Sequence, residues 1–191
     1  MHKENKLPAV FLDRDGTINI EKDYLHRVED FEFIEGAPEA IRALKNAGYL
    51  VIVVTNQSGV ARGYYNLNDV NTLHKHIEKE LAAFDTFVDA FYVCPHHPIE
   101  GKGEFLKECD CRKGKPGLLL QAAAEHGIDL AKSYMVGDKI ADVEAGENAG
   151  CTSLLVLTGY GKRDLQKLAE GRVKVCADLA EAAQEILNPA H

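Results

Sequence analysis

Hydrophobic and polar positions along the chain alternate between short apolar runs and longer amphipathic stretches. Ala9-Val10-Phe11-Leu12, Leu50-Val51-Ile52-Val53-Val54, Phe87 to Val93, Ser133 to Val136, Thr152 to Leu157 and Val173-Lys174-Val175-Cys176 read as strands. The first two are apolar at every position, which suits a parallel sheet covered on both faces. Between them, Pro38 to Ala47 sets Ile41 and Leu44 on one face with Ala37 and Ala47, and Gly48 supplies a stop. Asn68 to Phe84 carries Val70, Leu73, Ile77, Leu81 and Phe84 at three- and four-residue spacing, so it is the longest predicted helix and should cover a sheet face. Gly117 to His126 (ended by Gly127), Ala141 to Ala149 and Leu179 to Leu187 complete the helices. Ile18 to Phe33 has no clean period and reads as a loop or flap. Strand and helix alternate throughout, so the expected fold class is α/β, with a central parallel sheet flanked by helices.

Composition narrows the picture without changing it. A chain of 191 residues buries about two-thirds or more of its unfolded surface, enough for one cooperative core. No repeat or low-complexity linker divides it, and a single domain over 1–191 is expected. No apolar run approaches the roughly 20 residues of a membrane span, and Met1 to Lys6 lacks the apolar core of a leader, so the expected location is the cytoplasm. A net charge of −8 argues against a nucleic-acid partner, which needs a basic face. It leaves room for a small phosphorylated substrate met by a local cluster of cations. A monomer is expected.

The candidate chemistry begins where the first apolar run ends, in Asp13-Arg14-Asp15-Gly16-Thr17. Residues two apart in extended chain point the same way, so Asp13 and Asp15 share a site at the carboxyl edge of the sheet while Arg14 points elsewhere. Two carboxylates this close favour a divalent cation between them. An acidic turn is the competing reading for this stretch alone. The segment resembles the first motif of the haloacid dehalogenase (HAD) superfamily of phosphohydrolases, Asp-x-Asp-Gly-Thr after a hydrophobic strand. That resemblance implies a Rossmann-like fold, Asp13 as nucleophile and Asp15 as general acid and base. Thr55, in Thr55-Asn56-Gln57-Ser58-Gly59 after the second strand, resembles the second motif, which holds phosphoryl oxygens, with Asn56, Gln57 and Ser58 as substrate contacts. Lys113, in Cys111-Arg112-Lys113-Gly114-Lys115-Pro116-Gly117, resembles the third motif, a charge-neutralising Lys at a helix start, and Lys115 is the alternative. Met135-Val136-Gly137-Asp138-Lys139 with Asp142 matches the fourth. By this resemblance Mg²⁺ is held by Asp13, Asp138 and the main-chain carbonyl of Asp15. Asp142 either supports that site or is an acidic residue in a helix first turn, favoured by the macrodipole.

A second constellation is independent of the first. Cys94-Pro95-His96, twelve residues, then Cys109-Asp110-Cys111 presents three thiolates and an imidazole, a closed tetrahedral set of the structural zinc kind. Clustering of three of the five cysteines within 94–111 favours metal over disulfides. His97 reads as a bystander, and Cys151 and Cys176 read as core. His74 and His76 lie two apart on a predicted helix and do not share a face. Gly159-Tyr160-Gly161 carries a weak phosphate-loop signal, with a turn the favoured alternative.

The spacings between motifs leave no room for a separate cap domain, so substrate selection would fall to the flap from Asn19 to Tyr24, the loop from Gln57 to Tyr64 and the zinc loop. With these features the whole chain resembles the capless heptose bisphosphate phosphatases, and secondarily the histidinol-phosphate phosphatases, which have the same motifs and a similar zinc site. The resemblance implies a Mg²⁺-dependent phosphatase acting on a phosphosugar through a phosphoaspartyl intermediate, in the supply of activated heptose for cell-surface polysaccharide. It assigns Arg14, Glu21, Lys22, Asp23, Tyr24, Arg112 and Lys139 to substrate binding. A receiver-like signalling domain would not need Asp15, and a zinc-stabilised binding module would not need the Mg²⁺ carboxylates.

Overall fold

The computed structural model describes residues 6–189. Six strands form one parallel sheet: β1 (Ala9–Leu12), β2 (Leu50–Asn56), β3 (Ala90–Cys94), β4 (Tyr134–Gly137), β5 (Thr152–Val156) and β6 (Lys174–Cys176), in the order β3-β2-β1-β4-β5-β6. Val10 pairs with Val51 on one side and with Tyr134 on the other. The chain winds outward from β1 to β3, returns beside β1 as β4 and winds the opposite way. The sheet therefore reverses direction between β1 and β4, where the carboxyl ends of the strands open a crevice.

Among the described residues, seven α-helices accompany the sheet: α1 (Ala37–Asn46), α2 (Ser58–Arg62), α3 (Leu67–Ala82), α4 (Gly117–His126), α5 (Ile140–Ala149), α6 (Gly161–Leu165) and α7 (Leu179–Leu187). The two-residue period of the strands sorts the core. Val10, Leu12, Val51 and Val53 pack with Ile41, Leu44, Leu73, Ile77, Leu81, Leu179 and Ile186 of α1, α3 and α7. Ala9, Phe11, Ile52 and Val54 point the other way onto Leu118, Leu119, Ala122 and Ala145 of α4 and α5. Each fully buried branched side chain contributes about 1.5–3 kcal/mol, so these two layers fix the strand ends and whatever polar residues follow them.

Several boundaries differ from expectation. β3 starts at Ala90 rather than Phe87, because Asp89 accepts from the Val51 N–H at 2.7 Å and pairs with Lys45, while Phe87 is exposed. α3 begins at Leu67 because Asn66 caps it, accepting from the N–H groups of Asn68 and Asp69. The expected loop from Gln57 to Tyr64 contains α2, and the turn at Gly159-Tyr160-Gly161 leads into α6; both helices are five residues long, too short for a periodic signal. His74 is buried and His76 is not, as different helix faces require. Among the described residues no helix is long and apolar enough to cross a membrane. The N-terminal stretch read as lacking a leader lies, as far as Asn5, outside the described residues.

Candidate active site and zinc loop

Every strand that ends at the crevice carries a functional group just beyond its apolar run. Asp13 follows β1, with its N–H donating to the Val136 carbonyl of the neighbouring strand. Thr55 and Asn56 are the last two residues of β2, and Asp138 follows β4. Asp13, Asp138 and Asp142 are buried, with one oxygen of each within 4.8 Å of the others. Lys113 Nζ lies 2.6 Å from Asp13 Oδ1 and 2.8 Å from Asp142 Oδ1, and donates to the Val54 carbonyl. Burial disfavours its charge, but the two carboxylates outweigh that and hold its pKa above the ordinary lysine value. Lys115, by contrast, is exposed beside Asp110. Asp142 is both helix cap and cluster member: at the third position of α5 it accepts from the Lys139 N–H with Oδ2, leaving Oδ1 to Lys113.

Asp138 shows what this cluster lacks. Its Oδ1 is buried without a hydrogen-bond partner. Burial and the Asp13 charge push its pKa up to about 8 despite Lys139 nearby and the Tyr160 N–H on Oδ2. A buried carboxylate oxygen left without a donor is what a hard divalent cation relieves, and carboxylate oxygens are the donor set it takes. The residues therefore fit Mg²⁺. Gly16 is required by the same packing: its φ is +82°, and a Cβ there would lie 2.3 Å from Asp138 Oδ2.

The Asp15 carboxylate belongs to a different network. Oδ1 accepts from Arg14 and from Asn19 Nδ2, and Oδ2 accepts from Arg14 and from Gln57 Nε2 at 3.0 Å. Burial would raise its pKa, but these donors hold it below the ordinary carboxylate value. Gln57 Nε2 also donates to Thr55 Oγ1 at 2.8 Å, and Tyr65 donates to Gln57 Oε1 at 2.6 Å, which fixes the amide's orientation.

A cleft of about 310 Å³ lies above these groups. Of the expected substrate contacts, Glu21, Asp23, Tyr24, Asn56, Gln57, Ser58, Arg112 and Lys139 line it, together with Asp15 and Lys113. Lys139 Nζ sits 3.2 Å from Glu21 and 3.7 Å from Asp138. Two expectations need correction. The Arg14 side chain does not reach the cleft: it has 0% exposure, with its guanidinium committed to Asp15, the Leu25 carbonyl and His74. Lys22 turns its ammonium to the Asp30 carbonyl and Glu32 on the outer side of the flap, and it does not line the cleft. Tyr65 and Tyr160 line the cleft unforeseen. Tyr160 donates to Asp23 Oδ1 at 2.7 Å, and Thr158 donates to the Gly16 carbonyl. The pairing of β5 beside β4 brings this loop to the site, whereas on sequence alone the weak phosphate-loop signal of Gly159-Tyr160-Gly161 ranks below a turn.

Cys94, His96, Cys109 and Cys111 converge as expected. The neighbouring ligand atoms are separated by 3.2 Å (Cys109–Cys111), 3.3 Å (Cys94–Cys111), 3.3 Å (His96 Nδ1–Cys111), 3.6 Å (Cys94–Cys109) and 3.9 Å (Cys94–His96). Tetrahedral zinc with bonds of about 2.0–2.3 Å separates its ligand atoms by roughly 3.5–3.8 Å, so the set fits zinc with small adjustments. Burial pushes the Cys94 thiol up, which leaves its thiolate dependent on a cation. The loop is tied to the cleft: Arg112 donates to the His96 carbonyl at 3.1 Å, and the Lys113 N–H donates to Asn56 Oδ1 at 3.0 Å.

Comparison with known proteins agrees with this geometry. The HAD-hydrolase-like family model matches residues 110–182. The D-glycero-β-D-manno-heptose-1,7-bisphosphate 7-phosphatase of Pasteurella multocida is 50% identical over 173 residues, covering 90% of this chain and 94% of its own length. The enzyme of that name from Escherichia coli K12 is 44% identical over 186 residues, covering 96% of this chain and 97% of its own. The crystal structure of the B. bronchiseptica D,D-heptose 1,7-bisphosphate phosphatase, complexed with magnesium and phosphate, superposes with a TM-score of 0.85 at 36% identity over 96% of this chain and 100% of that one. Motifs, fold and relatives converge, and the chain belongs to the D-glycero-β-D-manno-heptose 1,7-bisphosphate 7-phosphatase family of HAD hydrolases.

Proposed function

We propose that this protein removes the 7-phosphate of D-glycero-D-manno-heptose 1,7-bisphosphate, as the β-anomer that its relatives' names specify, and releases heptose 1-phosphate. The observation that carries the reading is the arrangement of Asp13 with Lys113 beneath a cleft that also holds Asp15 and Arg112. Asp13 attacks phosphorus in line. The C7 oxygen leaves with a proton from Asp15, and the phosphoryl group remains on Asp13. Asp15 then takes a proton from water, which attacks phosphorus, frees inorganic phosphate and restores Asp13. Asp15 ends each turnover protonated by the attacking water. In the free enzyme its donors favour the anion, and the approaching phosphoryl charge raises its proton affinity so that it keeps that proton, or retakes one from solvent, for the first step. Lys113 and Thr55 offset the charge of the equatorial oxygens.

Mg²⁺, held by Asp13, Asp138 and the Asp15 carbonyl, would supply further positive charge to the phosphoryl group. Zinc at Cys94, His96, Cys109 and Cys111 is structural. Glu21, Asp23, Tyr24, Asn56, Ser58 and Lys139 contact the sugar, and Arg112 meets the remaining phosphate. Residues 1–191 act as one domain with the zinc loop at 94–111, and the protein acts as a monomer. The net charge of −8 suits a cytoplasmic enzyme with no nucleic-acid partner.

Phosphate release from a panel of phosphate esters tests this. A charge-assisted contact contributes about 1.5–3 kcal/mol, so the heptose bisphosphate should exceed histidinol phosphate in kcat/KM by about tenfold or more. Arg112→Ala should remove most of that margin by raising KM. The reverse substrate order would overturn the heptose reading and leave the phosphatase reading intact. Asp13→Asn should be inactive, and substantial turnover by it would overturn the mechanism.

A further inference from the structure

Arg14 is the largest fully buried side chain described, and the reaction does not use it directly. Burying a guanidinium costs several kcal/mol unless every donor is met. Here Nε donates to Asp15 Oδ1 at 3.2 Å and Nη2 donates to Asp15 Oδ1 and Oδ2 at 3.1 and 2.9 Å. Nη2 also donates to the Leu25 carbonyl at 2.9 Å. Nη1 lies 3.3 Å from His74 Nε2. An arginine only donates, so His74 Nε2 is the acceptor and the ring proton is on Nδ1. His74 is buried in α3, stacked at 4.2 Å on Phe91 of β3. Burial and the Arg14 charge favour its neutral form.

We propose that Arg14 and His74 are a buried pair of positioning residues for Asp15. His74 anchors the far end of the guanidinium, and the guanidinium holds the Asp15 carboxylate from behind by two points, leaving its front edge to the cleft. The same Nη2 grips the Leu25 carbonyl at the base of the flap, so the carboxylate and the flap that carries Tyr24 share one anchor. Removing the His74 acceptor leaves a charged donor unpaired in the core, and the guanidinium must turn to find another partner. Asp15 then loses its orientation toward the leaving oxygen while Asp13, Lys113 and the metal carboxylates keep theirs.

This rests on the proposed role of Asp15 as acid and base, and leaving-group dependence separates the two ideas. An alkyl phosphate such as the heptose ester needs a proton on its leaving oxygen, whereas 4-nitrophenyl phosphate does not. General acid catalysis contributes about 10²–10⁴-fold, so partial misplacement in His74→Leu should lower kcat/KM for the alkyl ester by about tenfold or more. The variant's kcat/KM for the aryl ester should be little changed, because that constant ends at departure of the leaving group and does not report the water attack in which Asp15 also serves. His74→Gln, whose amide oxygen can accept from Arg14, should restore most of the loss. Equal loss on both substrates, no loss on either, or a glutamine variant no better than leucine would overturn the pair. Asp15→Asn is the control: if it too spares alkyl-ester hydrolysis, the acid–base reading itself fails, whereas loss there with none in His74→Leu rejects the pair alone. Nitrogen-15 spectra of the wild-type imidazoles give a readout independent of any variant's folding. A neutral His74 protonated on Nδ1 is expected, and a cationic ring or an Nε2 proton would overturn the proposal.

Discussion

His74 shows how one residue's surroundings set its protonation and, through it, the stability of the fold. Burial and the adjacent Arg14 charge lower its pKa from 6.5 to about 3. The unfolded chain therefore binds a proton below pH 6.5 that the native state refuses until about pH 3. Stability contributed by the neutral ring is complete above the unfolded pKa and is lost as pH falls through that window, at about 1.4 kcal/mol per pH unit. His74→Gln should remove this slope, so urea midpoints measured at pH 7 and pH 5 should differ less in the variant than in the wild type. Lys113 is the opposite case, a cation whose burial is outweighed by Asp13 and Asp142. Lys113→Met leaves those carboxylates uncompensated. It should cost about 3–5 kcal/mol of stability, read by denaturation without Mg²⁺, and should also abolish turnover.

At the scale of elements, the zinc loop is a strut between β3 and α4. Cys94 ends β3, Cys109 and Cys111 precede α4, and Arg112 and Lys113 follow Cys111 directly. Gly117, which opens α4, has its N–H on the Asp110 carbonyl at 2.9 Å, and a Cβ there would lie 2.2 Å from that oxygen. The loop and the helix start are thus packed with no space between them. Displacement of a catalytic group by about 1 Å can cost on the order of a hundredfold in rate. Cys109→Ser should lose zinc by metal analysis, lower the melting temperature and depress turnover, while Asp13 and Asp138 still bind Mg²⁺ by calorimetry. A zinc-free variant with full activity and stability would show that the loop does not position Lys113.

The whole molecule places its chemistry at the one edge where the winding reverses, so groups from β1, β2 and β4 meet although they are far apart in the chain. Three buried carboxyl groups, Asp13, Asp138 and Asp142, gather there. A ligand that binds only the native state stabilises it by mass action. Mg²⁺ should therefore raise the melting temperature, by about 2–4 °C for each kcal/mol in a chain of this size, and Asp138→Asn should lose the shift. Chelation of Mg²⁺ should stop turnover and leave about one zinc per chain in place.

How much of this was legible in the sequence follows from the range of the interactions involved. Apolar runs and their period determined five of the seven helices, all six strands and the two-sided sheet, because burial of those side chains is a local pattern with a large free energy. The carboxylates and thiolates stood out because few other arrangements of such residues are tolerable. What only the tertiary structure decided is which way polar side chains turn. Arg14 was read as a substrate contact but is buried behind Asp15 because α3 offers it His74. Lys22 turns outward to Glu32. Asp142 joins the acidic cluster while still capping α5, and Tyr160 reaches the cleft because β5 pairs beside β4. Strand alternation already turns Arg14 away from the cleft, but its partner His74 lies sixty residues on. Lys22 is decided by how the flap folds back on itself eight to ten residues later, and the others by neighbours that another element supplies.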